Sequence, residues 1–190
     1  NIINKIIKIA NINDSKTVIE IGAGYGNLTK AISLLKPKKI IAIEKDKKLA
    51  EILKNKFENF NNIKIINCDI LNIIHDTYLE KNIVVIGNLP YNISTKILSS
   101  LILLKKWPPW YDNLILMFQK EVAERIIAKT HTKKFGRLTV LSNWRLDIKK
   151  HFDVSNNCFF PKPQVTSSVL SFKPKKNNQF KLKNPKCLEK

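Results

Sequence analysis

The sequence predicts an α/β fold: a mostly parallel sheet with helices on both faces and an antiparallel pair of strands at one edge. Three observations carry this expectation. From residue 17 onward, short Ile- and Val-rich runs alternate with segments of helical period, the pattern of repeated βαβ units whose strands are buried on both faces. The loops after these runs hold glycines, carboxylates and an Asn-Leu-Pro-Tyr stretch instead of ordinary turn residues, and an open parallel sheet binds ligands at the carboxyl ends of its strands. The last two strand candidates follow each other with no helix between them, which favours an antiparallel pair.

Taken in order, Ile at 2, 3, 6, 7 and 9 makes a helical stripe that Asn-Asp-Ser at 13–15 breaks. Residues 17–22 read as a buried strand, and the helix at 27–35 ends before Pro37. A second strand at 39–44 leads into a helix at 47–57, and strands follow at 63–67 and 82–87. Next come a helix at 94–104, a strand at 113–119, a helix at 120–129, a loop at 130–136 and a helix at 137–145. The edge-pair candidates are 147–154 and 165–173, and the Lys-rich tail from Lys173 is expected to fray.

At 190 residues the chain has the size of one domain. Lys plus Arg total 34 against 15 Asp plus Glu, a formal charge of +19 that favours a polyanionic partner. Drift toward A/T-rich codons explains the charge as well, because Ile, Asn and Lys are abundant while Arg occurs three times. Cys68, Cys158 and Cys187 are odd in number and widely spaced, so unpaired thiols, a reducing compartment and no metal site are expected. The longest apolar run, Ile97–Leu104, is far short of the roughly 20 residues that cross a bilayer, so the expectation is a cytoplasmic protein with no membrane partner.

The loop Glu20–Gly26 reads Glu-Ile-Gly-Ala-Gly-Tyr-Gly, directly after a strand and opening a helix. Gly22, Gly24 and Gly26 let the backbone turn tightly and approach a ligand, but their spacing is tighter than the G-x-G-x-x-G of dinucleotide sites. Glu44, ending the second strand, is placed to accept hydrogen bonds from both hydroxyls of a ribose, and a solvated strand-end acid beside Lys45 is the plainer reading. After the third strand, Asp69 is placed to accept from an adenine amino group with Ile70 against the ring, while a helix N-cap explains it equally. Together the glycine loop, Glu44 and Asp69 resemble the nucleoside site of S-adenosylmethionine-dependent methyltransferases.

Asn88-Leu89-Pro90-Tyr91 is similar to the motif of methyltransferases that modify an exocyclic amino group on a base. Such an amine is a poor nucleophile because its lone pair is delocalised into the ring. Hydrogen bonds from its two N–H groups to the Asn88 side-chain oxygen and to a carbonyl at Leu89 or Pro90 would draw the nitrogen toward tetrahedral geometry and free that pair. Pro90 holds the turn in one shape and adds no competing donor. Tyr91 offers a face for the base, with about 1–3 kcal/mol typical of such stacking. His75, His131 and His151 fall outside these motifs and read as surface or packing residues.

Phe159, Pro161, Pro163, Val165 and Ser167 fit a pattern F-x-P-x-P-x-V-x-S. With residues 87–94, 118–126 and 135–140, this stretch closely resembles the ribosomal RNA adenine dimethyltransferase family across almost the whole chain. The resemblance implies a Rossmann-like fold, S-adenosylmethionine as cofactor, small-subunit ribosomal RNA as partner, and Phe159 opposite Tyr91 gripping the adenine. It also implies a catalytic domain over residues 1–172 and a basic tail over 173–190 leading toward a helical C-terminal domain. A family segment G-Q-N-F-L that closes over the cofactor would precede residue 1.

In the basic 129–137 segment, Lys133, Lys134 and Arg137 are candidates for RNA phosphates, and a monomer with no obligate protein partner is expected. Three alternatives stand beside this reading. They are a sister group acting on large-subunit RNA in macrolide resistance, a non-catalytic assembly or transcription factor, and an NAD-dependent oxidoreductase, which the glycine spacing disfavours.

Overall fold

The structure is a computed structural model that describes residues 2–75, 82–159 and 162–176, so Pro161 and the tail beyond residue 176 lie outside the described residues. It divides into two compact units that interleave along the chain, residues 1–89 with 110–116, and residues 90–109 with 117–190.

The first unit contains α1 (Ile2–Ala10), β1 (Thr17–Ile21), α2 (Asn27–Ser33), β2 (Lys39–Glu44), α3 (Lys47–Lys56), β3 (Ile63–Asn67), α4 (Ile70–Ile73) and β4 (Ile83–Asn88). It also holds residues 113–116 of β5 (Asn113–Gln119). Its strand order is β3-β2-β1-β4-β5, and β1 pairs with β2 and β4, and β2 with β3, all in parallel. Every β1 position is buried, including Thr17 and Glu20, which explains the absence of apolar/polar alternation. Ile21 pairs with Ile43 and Gly87, and Glu44 with Asn67. Strands in this register end together, so the loops beginning at Gly22, Lys45 and Cys68 leave from one edge of the sheet.

Two aspartates start helices here. Asp46 accepts the Leu49 N–H at 3.0 Å and caps α3. Asp69 accepts the Leu71 N–H at 3.0 Å and caps α4, an element of one turn that is too short for periodicity to reveal.

The second unit contains α5 (Ser94–Ile102), α6 (Lys120–Ile126), α7 (Arg137–Arg145), β6 (Leu146–Val154), β7 (Ser167–Pro174) and residues 117–119 of β5. Its strand order is β5-β7-β6, with β6 and β7 antiparallel and an irregularity between Lys150 and Phe152. Two helices stop sooner than the sequence predicts because side chains satisfy their last carbonyls. Arg145 donates to the Ile102 and Leu104 carbonyls at 2.8 and 2.9 Å beyond α5, and Thr139 donates to the Arg125 carbonyl at 2.6 Å at the end of α6. Lys173 to Lys175 do not fray as expected. β7 runs to Pro174, the Lys175 N–H donates to the Arg145 carbonyl at 2.8 Å, and the Lys175 carbonyl accepts from the Trp107 indole at 2.9 Å.

Gly26 sits at φ 74°, and a Cβ there would lie 2.6 Å from Leu53 Cδ2 and 2.8 Å from Phe57 Cε2. Both side chains are buried in a cluster with Ala23 and Ala42, so neither is at liberty to move aside. Gly24 has φ 55° and nothing within 4 Å of such a Cβ. Gly26→Ala should therefore cost about 2–4 kcal/mol through backbone strain plus overpacking, and Gly24→Ala only about 1–2 kcal/mol through strain. Urea denaturation compares the two, and equal losses would mean that the Leu53–Phe57 wall yields.

Candidate functional site

The site in the first unit is organised around the Glu44 carboxylate. One oxygen accepts the Gly24 N–H at 2.8 Å and the other accepts the Asp46 N–H at 2.9 Å, so one side chain fixes both the loop after β1 and the loop after β2. Glu44 is 8% exposed, hence bonded and largely removed from water, unlike the solvated acid that the plainer reading expects. Its main-chain carbonyl accepts the Cys68 N–H at 3.1 Å and the Asn67 amide at 2.9 Å, which draws in the loop after β3. Asn67 also donates to the Lys45 carbonyl at 3.1 Å. The sequence gives no signal for Asn67, whose amide acts 22 and 23 residues away.

The glycine loop is a cradle with an open side. The Gly22 and Ala23 N–H groups donate to the Ile43 carbonyl at 2.9 and 3.3 Å, setting the loop against the end of β2. A Cβ on Gly22 would stand 3.5 Å from the Asn88 carbonyl oxygen, so the end of β4 lies against the loop. The space at Gly24 is clear of protein atoms, as a bound ligand requires.

Glu20 lies apart from that open side. It is 2% exposed and accepts the Thr29 hydroxyl of α2 at 2.6 Å, so it holds the helix to β1. Burial raises its pKa to about 7, opposed by the Thr29 hydrogen bond and reinforced by the charge of Glu44. Asp69 forms the N-cap and also an ion pair with Lys45 at 2.9 Å, while Ile70 is buried beside it.

Asn88 and Leu89 close the first unit, Asn88 exposed and Leu89 buried as its anchor. Pro90 and Tyr91 open the second, where the Pro90 carbonyl accepts the Ile93 N–H at 3.1 Å and the Tyr91 carbonyl accepts the Ser94 hydroxyl at 3.1 Å. The Tyr91 hydroxyl meets the Ser167 hydroxyl at 2.7 Å, joining the end of the Asn-Leu-Pro-Tyr motif to the end of the F-x-P-x-P-x-V-x-S stretch. Phe159 is half-buried and closes a single 3-10 turn over Asn156–Cys158.

Among the basic candidates, Lys133 and Arg137 are exposed, whereas Lys134 is paired with Glu124 and holds that carboxyl below its ordinary pKa. Lys120 and Lys150 share Asp153 at 3.2 and 2.7 Å, and with Ser168 they lower its pKa to about 2. Among the described residues no group of His, Cys, Asp and Glu could hold a metal ion, and no helix is long and apolar enough to cross a membrane.

Comparison with known proteins adds the following. The family model for ribosomal RNA adenine dimethylase matches residues 1–189. A ribosomal RNA small subunit methyltransferase A from Pelagibacter ubique is 50% identical over 189 residues, which are 100% of this chain and 71% of the relative. The protein of the same name from Nitrobacter winogradskyi is 41% identical over 179 residues, and the alignment covers 93% of this chain and 62% of that relative. A crystal structure of a dimethyladenosine transferase from Plasmodium falciparum has a TM-score of 0.79 at 34% identity, covering 92% of this chain and 61% of that one. The crystal structure of the 23S rRNA methyltransferase ErmE also has a TM-score of 0.79, at 23% identity over 99% of this chain and 72% of that one, which is a likeness of fold.

The burial of Glu20 has a consequence for stability. Below the ordinary carboxyl pKa of 4.5 both folded and unfolded chains keep this proton; between 4.5 and about 7 only the unfolded chain releases it. Stability therefore falls as pH rises through that window, and each unit by which burial raises the pKa is worth about 1.4 kcal/mol. Glu20→Gln keeps an acceptor for Thr29 and removes the titration. From pH 4.5 to 7 the parent should lose up to about 3 kcal/mol relative to the variant in urea unfolding, and parallel curves would contradict this.

Proposed function

The chain belongs to the ribosomal RNA adenine dimethylase family, and from that premise we propose that it methylates the exocyclic amino group of two adjacent adenines near the 3′ end of small-subunit ribosomal RNA, twice on each. The observation that carries the reading is the approach of β4 to the glycine cradle. The Asn88 carbonyl oxygen stands 3.5 Å from a Gly22 Cβ position, so the amine-activating motif begins beside the cradle.

S-Adenosylmethionine fits the residues present: a glycine cradle open at Gly24, and a carboxylate at Glu44 whose oxygens each keep a lone pair beyond the N–H they already accept. Gly22, Gly24 and Glu44 would hold it, with Ile70 against the adenine, while Gly26 and Glu20 shape the loop from below. Asp69 would accept from the adenine amine once Lys45 yields its place. When bound, the cofactor would supply an electrophilic methyl on a sulfonium sulfur, with the sulfur as the leaving group that keeps the C–S electron pair and water as the acceptor of the amine proton.

The chain's own residues contribute position. The Asn88 side-chain oxygen and a carbonyl at Leu89 or Pro90 take the two amine N–H bonds, and Tyr91 and Phe159 hold the base. Catalysis by such placement needs no general base. Residues 1–172 are proposed as the catalytic domain. Lys133 and Arg137 are assigned to RNA phosphates, and Lys134 would exchange Glu124 for a phosphate on binding.

Radiolabelled methyl transfer to undermethylated small ribosomal subunits, read by nucleoside mass spectrometry, tests the reading against large-subunit RNA and DNA. The parent should form dimethyladenosine in the small-subunit reaction. Asn88→Ala should lower the single-turnover rate by about a hundred-fold, as for loss of one preorganised polar contact, with RNA affinity changed only a few-fold. Label in large-subunit RNA alone would move the chain to the resistance-type group, and label in DNA alone would overturn an RNA substrate.

A further inference from the structure

We propose that Ser167 is a positioning residue for Tyr91, and that its hydroxyl governs whether the second methyl group follows the first on the same adenine. The inference deepens the function proposed above and rests on it.

Within the second unit Tyr91 is held at its main chain and at its phenol. At the main-chain end, the Tyr91 carbonyl accepts the Ser94 hydroxyl at 3.1 Å, and Ser94 is 1% exposed. At the far end, the phenol meets Ser167 at 2.7 Å. Ser167 is fully buried and stands on a frame that leaves it little freedom. On one side of it, the Thr166 carbonyl accepts the Lys120 N–H at 2.8 Å. On the other, Ser168 donates to Asp153 at 2.6 Å, and Asp153 is held by Lys150 and Lys120. In register, Ser167 faces Val154 across the antiparallel pair, so β6 fixes its height along β7. A phenol tethered to such a point has its ring axis held, and the preference of a phenolic hydrogen bond for the ring plane biases the face it offers a stacked base toward one orientation.

That orientation matters unequally for the two transfers. An unmethylated adenine amine has two N–H groups, one for the Asn88 side-chain oxygen and one for a loop carbonyl. After the first transfer a methyl replaces one hydrogen, so the amine keeps a single N–H. One of its two polar anchors is gone, and stacking on Tyr91 carries a larger share of its placement. A ring that can tilt therefore slows the second transfer more than the first, and monomethyladenosine accumulates. Each transfer has the same balance: an N–C bond forms, a C–S bond breaks with its pair left on sulfur, and a proton leaves the amine for water.

The experiment measures the monomethyl-to-dimethyl ratio on undermethylated small subunits by nucleoside mass spectrometry, for the parent, Ser167→Ala, Tyr91→Phe and the double variant. Both single variants should raise the ratio about three- to ten-fold, the factor that one ordinary hydrogen bond supplies. The double variant should do no worse than either single, because both remove the same bond. Compared at equal total methyl incorporation, the ratio does not depend on how much enzyme is folded, so a merely structural Ser167 would lower the yield and leave the ratio at the parental value.

A second readout needs no methyl transfer. RNA carrying 2-aminopurine at the target adenine should be quenched by stacking in the parent complex and be less quenched with Ser167→Ala. Tyr91→Phe covers the case in which Ser167→Ala does not fold, since it removes the bond from the more accessible partner. A parent that forms dimethyladenosine while both variants keep its ratio and its quenching would overturn the role of Ser167 alone. A parent that forms no methyladenosine on any RNA would overturn the proposed function and this inference with it.

Discussion

The rest of the site depends on one side chain satisfying two loops. Main-chain N–H groups at the carboxyl end of a parallel sheet have no ladder partner, and each one buried without an acceptor costs about 1–3 kcal/mol. Glu44 supplies acceptors to Gly24 and Asp46 at once, at 2.8 and 2.9 Å. The same two bonds hold the glycine loop open on the side where protein atoms are absent. Glu20 and Thr29 complete the arrangement from below by tying α2 to β1, and the proximity of two carboxylates is part of why Glu20 holds its proton.

The second unit applies a similar economy to an aromatic ring. Tyr91 is bonded at its carbonyl and at its phenol, and the second bond is anchored through β7 to an ion-paired Asp153. Charge around that aspartate is therefore structural. Of the 34 basic residues, Lys120 and Lys150 are committed to Asp153 and Lys134 to Glu124, so not every lysine is unengaged. A reaction that proceeds by placing an amine against a methyl group gains most from rigid supports of this kind.

What could be read from the chain follows from the range of the forces involved. Strands β1, β2 and β4 are continuous apolar runs closed by motif residues, so local pattern found them and the loops behind them. Asp69 was legible as either a cap or an adenine acceptor. Its capping bond spans two residues, while its Lys45 partner is 24 residues away and out of reach of local reasoning. The early ends of α5 and α6 depend on Arg145 and Thr139, which approach only after the chain has folded back. Ser167 was visible as a motif position, but its partner lies 76 residues upstream, and no periodicity encodes that pairing. Glu20 opens the loop stretch in sequence, but its side chain is buried and accepts from Thr29 nine residues on, a pairing across β1 and α2 that local pattern does not encode.

The claim at the centre of this account is that Glu44 both shapes the cradle and receives the nucleoside. Titration calorimetry of S-adenosylmethionine with the parent and with Glu44→Ala tests it most directly, with a thermal melt to establish that the variant is folded. The account predicts that affinity falls about ten- to a hundred-fold, the range for hydrogen bonds to a charged group, and that the parent prefers S-adenosylmethionine to NAD. Equal affinity in a folded Glu44→Ala variant, or tighter binding of NAD by the parent, would contradict it.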